Sequence, residues 1–306
     1  MNTTILIAPN SFKECASSVE TATLMYNALK NYTSAFQLIM KPISDGGDGF
    51  LAVCKYYFGG ELLEYRITTP FDNSMIECPV LYNSDRKKIF IESADVLGLK
   101  ILPQQFRKPM QLSSNGMGEL LLQINEDVKK QKIMVEDIMI GIGGTGTIDL
   151  GLGMCSQLGL SLVDGEGKAL DPMPHNYQEL HNIKIDKIHF PFSIECVVDV
   201  NNPLVGKQGA AHSFGRQKGA SENEIQEIDN LFSKVVNILK NNSLVDSSIK
   251  LSGAGGGLAA GFQIMFNSRM ISSEEFIMSD LNLSQEIDSA DYLITGEGVF
   301  DNQTFM

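Results

Sequence analysis

The chain has 306 residues, 43% of them hydrophobic, and its 37 Asp and Glu against 24 Lys and Arg leave a formal net charge of -13. Such an acidic field repels a phosphate backbone and excludes nucleic acid as a partner, while the ordinary apolar content excludes a disordered chain. No apolar run approaches the ~20 residues of a membrane-spanning helix, no basic leader precedes the first apolar run, and five scattered cysteines without a CxxC pair read as reduced thiols; a cytoplasmic protein with small-molecule partners and no membrane is expected.

This length exceeds one comfortable hydrophobic core, so two lobes about a cleft are expected. Ile5 to Ala8 reads as a strand, and Ser17 and Glu20 are spaced as a capping box for a helix whose apolar face is Val19, Ala22, Tyr26 and Leu29. A second strand at Leu38 to Ile43 runs into Ser44-Asp45-Gly46-Gly47-Asp48-Gly49, which forbids regular structure. Residues 60 to 102 hold short β-rich segments, among them Ile76 to Leu81 and Lys88 to Glu92. Helical spacing returns at Met117, Leu120, Leu121, Ile124 and Val128, followed by a buried strand at Ile138 to Ile142 and the run Gly143-Gly144-Thr145-Gly146. Ser221 and Glu224 cap a second amphipathic helix with the stripe Ile225, Ile228, Phe232, Val235 and Leu239. Gly253 to Gly257 precedes a helix from Leu258, and Tyr292 to Thr295 is a last strand before Gly296-Glu297-Gly298. Alternating strands and helices predict a mainly parallel sheet, with ligands outside the carboxyl ends of its strands.

The segment Gly141 to Gly146 fits G-x-G-x-x-G, with Asp164 near the position of a ribose-binding acid, which allows a nicotinamide dehydrogenase. Leu158 to Val163 then runs into the turn-like Asp164-Gly165-Glu166-Gly167, so the motif lacks its confirming context. A glycine-rich turn also cradles phosphate, because its backbone N–H groups can point at the ligand. Neither a G-x-x-x-x-G-K-[ST] loop nor the linked H-R-D and D-F-G motifs of protein kinases is present. Asp45, Asp48, Asp199 and Asp301 lie on the expected cleft loops and suffice for the base and metal ligands of phosphoryl transfer. Lys13, Lys207, Lys218 and Arg216 could balance phosphate or carboxylate charge, although any one of these charged groups taken singly reads more readily as a solvated loop residue or a turn-stabilising Asp. The four histidines show no metal spacing and are expected as surface or hydrogen-bonded residues.

Ala8-Pro9-Asn10-Ser11-Phe12-Lys13, Ser44 to Gly49, Gly143 to Gly146, Asp199-Val200-Asn201-Asn202-Pro203-Leu204, Phe214 to Ala220 and Thr295 to Gly298 occur in order along the chain. Together they resemble the bacterial glycerate kinase family. The resemblance implies an α/β fold of two lobes about a central cleft, one a Rossmann-like parallel-sheet lobe and the other a mixed α/β lobe. Residues 1–59, 104–157 and 284–306 are expected in the first, 60–103 and 158–283 in the second. It further implies transfer of the ATP γ-phosphate to D-glycerate, yielding 2-phosphoglycerate rather than 3-phosphoglycerate, with Mg2+; a homodimer is left open. Carried over by position, Lys13, Asp199 and Asp301 are the catalytic candidates, Lys13 on phosphate or the glycerate carboxylate and Asp199 as base. Substrate or phosphate contact falls to Asn10, Ser11, Asp45, Gly46, Gly47, Asp48, Gly143, Gly144, Thr145, Asn202, Gly255, Gly256 and Glu297, and metal to Asp45, Asp48 and Asp301.

The chain departs from the family pattern Gly-Gly-Ser-Ala-Thr-Asn-Asp-Gly-Gly-Ala-Gly, where it carries Thr145, Gly146, Ile148, Leu150 and Leu152. Ile148 removes an amide and Leu150 adds bulk, an expected change beside the cleft. Asn10 replaces a common Asp and Val299 a frequent basic residue. The alternative is a member that binds glycerate or nucleotide without turnover. Family members continue past the loop with Asp301, so a truncated chain with an unpaired sheet edge and exposed apolar surface is expected.

Overall fold

The computed structural model describes residues 3–12, 15–32, 35–186, 188–199 and 201–298. The expectations placed on Lys13, Val299 and Asp301 lie outside the described residues. The chain opens with β1 (Thr3–Ile7), α1 (Ser18–Tyr32), β2 (Phe36–Met40) and α2 (Phe50–Phe58). A meander of β3 (Glu61–Thr68), β4 (Met75–Asn83) and β5 (Lys88–Glu92) leads to α3 (Ser93–Leu97), α4 (Asn115–Lys129), β6 (Asp137–Ile142) and α5 (Leu152–Gln157). Then come β7 (Leu160–Val163), β8 (Ala169–Leu170), β9 (Asn182–Ile185) and β10 (Ser193–Val198). α6 (Ala210–Phe214), α7 (Glu222–Asn241), α8 (Leu258–Phe266), β11 (Arg269–Ser272), α9 (Ser273–Glu275), α10 (Leu283–Ser289) and β12 (Tyr292–Ile294) complete the described elements.

Two of the three sheets organise the packing of the helices. A parallel sheet of order β12-β1-β2 has α1 on one face and α10 on the other, because Ile5 and Ile7 point to Ala22 while Leu6 and Ala8 point to Leu283. The larger sheet has order β11-β10-β6-β5-β4-β3, parallel from β11 to β5 and antiparallel beyond. Its strands alternate in the same way. Ile89, Ile91, Ile138, Ile140, Cys196 and Val198 enter the main core with α4, α5, α7 and α8, whereas Phe90, Met139 and Val197 meet α2 and Phe276. A third, antiparallel sheet of order β8-β7-β9 flanks this core.

Both capping boxes form: Ser17 and Glu20 exchange bonds at the start of α1, as do Ser221 and Glu224 at α7. The expected strand at Leu38 to Ile43 begins two residues earlier, at Phe36. Residues 104–157, expected in the first lobe, instead contribute β6 to the larger sheet, hydrogen-bonded between β5 and β10. A strand buried on both faces is a continuous apolar run in either sheet, so periodicity cannot say which one it joins. Cys15 is exposed and Cys54, Cys78, Cys155 and Cys196 are buried, all as free thiols. All four histidines are exposed. Among the described residues β12 is an edge strand, and its Tyr292 and Leu293 are 64% and 47% exposed. No helix among the described residues is long and apolar enough to cross a membrane.

Candidate active site

Loops gather at the carboxyl ends of β5, β6 and β10, where open α/β sheets hold ligands. Glycine makes the gathering possible. A Cβ on Gly141 would stand 2.5 Å from the Gly46 carbonyl oxygen and 2.6 Å from Phe50 Cγ, so only glycine lets the 44–50 loop and α2 lie on β6. One step on, a Cβ on Gly143 would stand 2.5 Å from Gly47 Cα, and Gly46, at φ +92°, presses against the Val197 carbonyl of β10. The two loops therefore touch backbone to backbone.

Asp45 shapes its own loop: Oδ1 accepts from the Gly47 N–H at 2.8 Å and Oδ2 from Asn10 Nδ2 at 3.4 Å, which ties the β1 loop to the β2 loop. Asn10 Oδ1 also accepts from the Ser11 N–H, and the Asn10 N–H donates to the Gly296 carbonyl. A Cβ on Gly144 would stand 3.3 Å from Asp48 Oδ1. Asn10, Ser11, Asp45, Gly46, Gly47, Asp48, Gly143 and Gly144 are thus brought together as expected from the sequence, and Glu297 follows Gly296 in the same chain segment.

Thr145, unlike Gly143 and Gly144, is buried, at 2% exposed; its Oγ1 would lie 3.7 Å from a Cβ on Gly255. Gly255, Gly256 and Gly257 take φ of +66°, +72° and +90°, three successive left-handed residues that fit against Ile142 and Leu150. Asp199, exposed at the end of β10, accepts from Ser273 Oγ at 3.0 Å. Asn202 is engaged locally, Nδ2 donating to the Gln208 carbonyl at 2.7 Å and to Ser213 Oγ at 2.9 Å.

Charge is concentrated around Lys100. Its Nζ lies 2.6 Å from Asp95 Oδ1, 2.9 Å from Glu92 Oε1 and 3.7 Å from Asp48 Oδ1. Partial burial, which alone lowers an ammonium pKa, is outweighed by Asp95 and Glu92, so Lys100 stays charged well above its ordinary range. Burial and Asp95 push Glu92 upward against the pull of Lys100. Glu92 Oε2 accepts from the Gly49 and Leu51 N–H groups, both at 3.1 Å, and so holds the start of α2. Among the described residues no group of three or more His, Cys, Asp or Glu is arranged to hold a metal ion.

Sequence reasoning missed the residues that hold this arrangement. Ser93 bonds both backbone groups of Gly143. Fully buried Asp149 accepts from Ser114 N–H and Oγ, both at 2.7 Å, and from the Gly151 and Gly153 N–H groups at 3.2 Å. Burial pushes its carboxyl above the usual range, and these donors pull it back. An Asp with glycines two and four residues on was the available signal, since such spacing offers it unobstructed N–H groups. Lys218 was singled out only for its charge, yet it is 2% exposed, with Nζ 2.9 Å from both Thr145 Oγ1 and the Thr147 carbonyl. Lys207 is exposed, and Arg216, also exposed, pairs with Glu222. The expected bulk beside the cleft is corrected: Ile148, Leu150 and Leu152 are all 0% exposed and belong to the main core. Leu150 turns inward by adopting φ 60°. The dinucleotide reading also fails locally, because Gly146 N–H bonds the Leu97 carbonyl, α5 starts only at Leu152, and Asp164 caps its own exposed turn beyond β7.

The family model described as "Glycerate kinase family" matches residues 5–306. The glycerate 2-kinase of Escherichia coli K12 is 34% identical over 305 residues, 98% of this chain and 78% of that protein. The glycerate kinase of Bacillus cereus is 31% identical over 304 residues, again 98% of this chain and 78% of the relative. A crystal structure from Salmonella typhimurium LT2, of a protein assigned as a glycerate kinase 2, superposes with a TM-score of 0.81 at 30% identity, covering 100% of this chain and 81% of that one.

Proposed function

The chain belongs to the glycerate kinase family, and from that premise we propose that it transfers the γ-phosphoryl group of ATP to D-glycerate in the cytoplasm, forming 2-phosphoglycerate rather than 3-phosphoglycerate. The observation that carries this reading is the backbone contact between Gly47 and Gly143 at the carboxyl end of β6. It joins two glycine loops beside Asp45 and Asp48, a pairing of close backbone and carboxylates that suits a polyphosphate with its cation.

In this reading phosphate packs against the backbone of Gly46, Gly47, Gly143, Gly144, Gly255 and Gly256 and meets the hydroxyl of Thr145, the N–H groups of Gly46, Gly47 and Gly143 being engaged by Ser44, Asp45 and Ser93, while Asn10, Ser11, Asn202 and Glu297 contact substrate. Asp199 accepts the glycerate hydroxyl proton, and its bond from Ser273 Oγ orients the carboxylate for that task. Asp45 and Asp48 are a two-carboxylate set, which suits magnesium that completes its shell with phosphate oxygens and water. The cation would neutralise charge on the transferring group. Lys13 and Asp301 are proposed for phosphate and metal contact on the resemblance alone.

The test is an ADP-release assay with D-glycerate, ATP and Mg2+, with the product identified by phosphorus NMR. Formation of 2-phosphoglycerate is expected. Exclusive 3-phosphoglycerate would overturn the regiochemistry, and ATP binding without product would favour the second reading, a member that binds without turnover.

A further inference from the structure

Lys218 ends a 3-10 turn, Arg216–Lys218, closed by Gly219 at φ +97°, and sends its side chain inward beneath the Gly143–Thr147 loop. An ammonium group has three donors and no acceptor. Two of them go to Thr145 Oγ1 and the Thr147 carbonyl, each at 2.9 Å, and Nζ stands 6.0 Å from the centroid of the Phe214 ring. A Cβ on Gly256 would lie 2.9 Å from Nζ and would overlap the Thr147 carbonyl oxygen, so the second glycine turn closes over the amine. No acidic side chain forms an ion pair with Lys218 among the described residues; Asp149 is the carboxylate whose field reaches it.

Burying an ammonium against neutral acceptors costs several kcal/mol, by general estimates of about that size. A fold that only needed to pin this loop could do so with a neutral donor. What the protonated amine adds, below about pH 7 where the buried group keeps its charge, is direction: because an ammonium Nζ can only donate, Thr145 Oγ1 must accept, and the hydroxyl proton is turned away from Lys218. Among the described residues the Thr145 hydroxyl donates to no protein acceptor. Thr147 Oγ1, on the same loop, is buried without any hydrogen-bond partner. Two buried hydroxyls on one loop with unfilled bonds point to a ligand oxygen, since buried polar groups are otherwise paired.

We propose that Lys218 is a positioning residue that fixes the Thr145 hydroxyl as a hydrogen-bond donor to a phosphoryl oxygen of the bound nucleotide. This rests on the reading of Gly143–Thr145 as a phosphate cradle. One bond from hydroxyl to charged oxygen corresponds to a ~10-fold change in nucleotide binding.

The test compares wild type, Thr145→Val, Thr145→Ser, Lys218→Met and the double variant Thr145→Val/Lys218→Met. Steady-state kinetics are taken with ATP and D-glycerate at a pH of about 6, where the Lys218 amine is protonated, and ADP affinity is measured by calorimetry at the same pH. The expected result is a ~10-fold rise in KM for ATP in Thr145→Val with KM for glycerate unchanged. Thr145→Ser should stay near wild type. Lys218→Met should match Thr145→Val, and the double variant should lose no more than either, because both remove one linked donor.

Wild-type kinetics in Thr145→Val, equal impairment in Thr145→Ser, or multiplying effects in the double variant overturn the proposal. Should Lys218→Met not fold, Lys218→Arg, which retains a donor-only cation, replaces it and is expected to keep ADP affinity above that of Thr145→Val; equal loss overturns the link to Lys218. A wild type that binds ADP but makes no phosphoglycerate refutes the proposed function and leaves the ADP affinities of the same variants to decide this inference. If the wild type binds neither nucleotide, the hydroxyl has no phosphoryl oxygen to meet and the inference falls.

Discussion

The hydroxyl of Ser93 serves both backbone groups of Gly143, donating to the carbonyl at 3.1 Å and accepting from the N–H at 3.2 Å. One side chain at the start of α3 thereby sets the exit of β6 into the glycine loop. Ser93→Ala leaves both groups without this partner and should destabilise the protein by about 1–2 kcal/mol in urea unfolding. Its kcat/KM for ATP should fall several-fold, because the loop is no longer held at its base. Unchanged kinetics in a destabilised Ser93→Ala protein would show that Gly143 is anchored adequately by its other contacts.

Leu150 is held at φ 60° with a fully buried side chain, a conformation that costs a non-glycine residue about 1–2 kcal/mol. Shortening it to Ala loses about 2–5 kcal/mol of packing and keeps the backbone strain. Leu150→Gly loses the same packing but releases the strain. The usual order, Ala more stable than Gly, should therefore reverse, with Leu150→Gly at least as stable as Leu150→Ala by thermal unfolding. A Gly variant clearly below the Ala variant contradicts the assigned strain.

Burial lowers the Lys218 pKa from its ordinary 10.5 to about 7, with Asp149 opposing the shift. Below about pH 7 the amine is charged in both folded and unfolded chains, and the full cost of burying the charge is present. Between about 7 and 10.5 the folded amine is neutral while the unfolded one still holds its proton. Stability should rise with pH across that window by up to about 1.4 kcal/mol per unit from this group. Lys218→Met removes the contribution, so its stability should increase less with pH than that of wild type, as read from urea titrations between pH 7 and 9. Parallel curves for the two proteins exclude the shift.

Asp199 is exposed at the end of β10, where its carboxylate bonds Ser273 but supports no core packing. Asp199→Asn keeps the size and most of the hydrogen bonding while removing the base. Turnover of D-glycerate should drop by about 10²-fold or more, with circular dichroism and melting unchanged. Near-normal turnover assigns the proton to another acceptor.

Local patterns carried much of this molecule. The capping boxes at Ser17 and Ser221, the apolar stripe from Ile225 to Leu239, and the glycine-aspartate loop after β2 follow from residues near one another in the chain, where spacing alone decides which groups meet. The loop residues expected to converge, from Asn10 to Gly144, did so because strands ending at one edge of a sheet must deliver their loops to the same side. Tertiary structure decided what depends on burial and on partners distant in sequence. It placed β6 in the larger sheet and turned Ile148 and Leu150 into the core. It also made Asp149 and Lys218 interior groups, bonded to Ser114 and Thr145 across 35 and 73 residues. A lysine or an aspartate looks the same in sequence whether water or a protein dipole solvates it. Only the packed neighbours determine its charge and the direction in which its hydrogen bonds point.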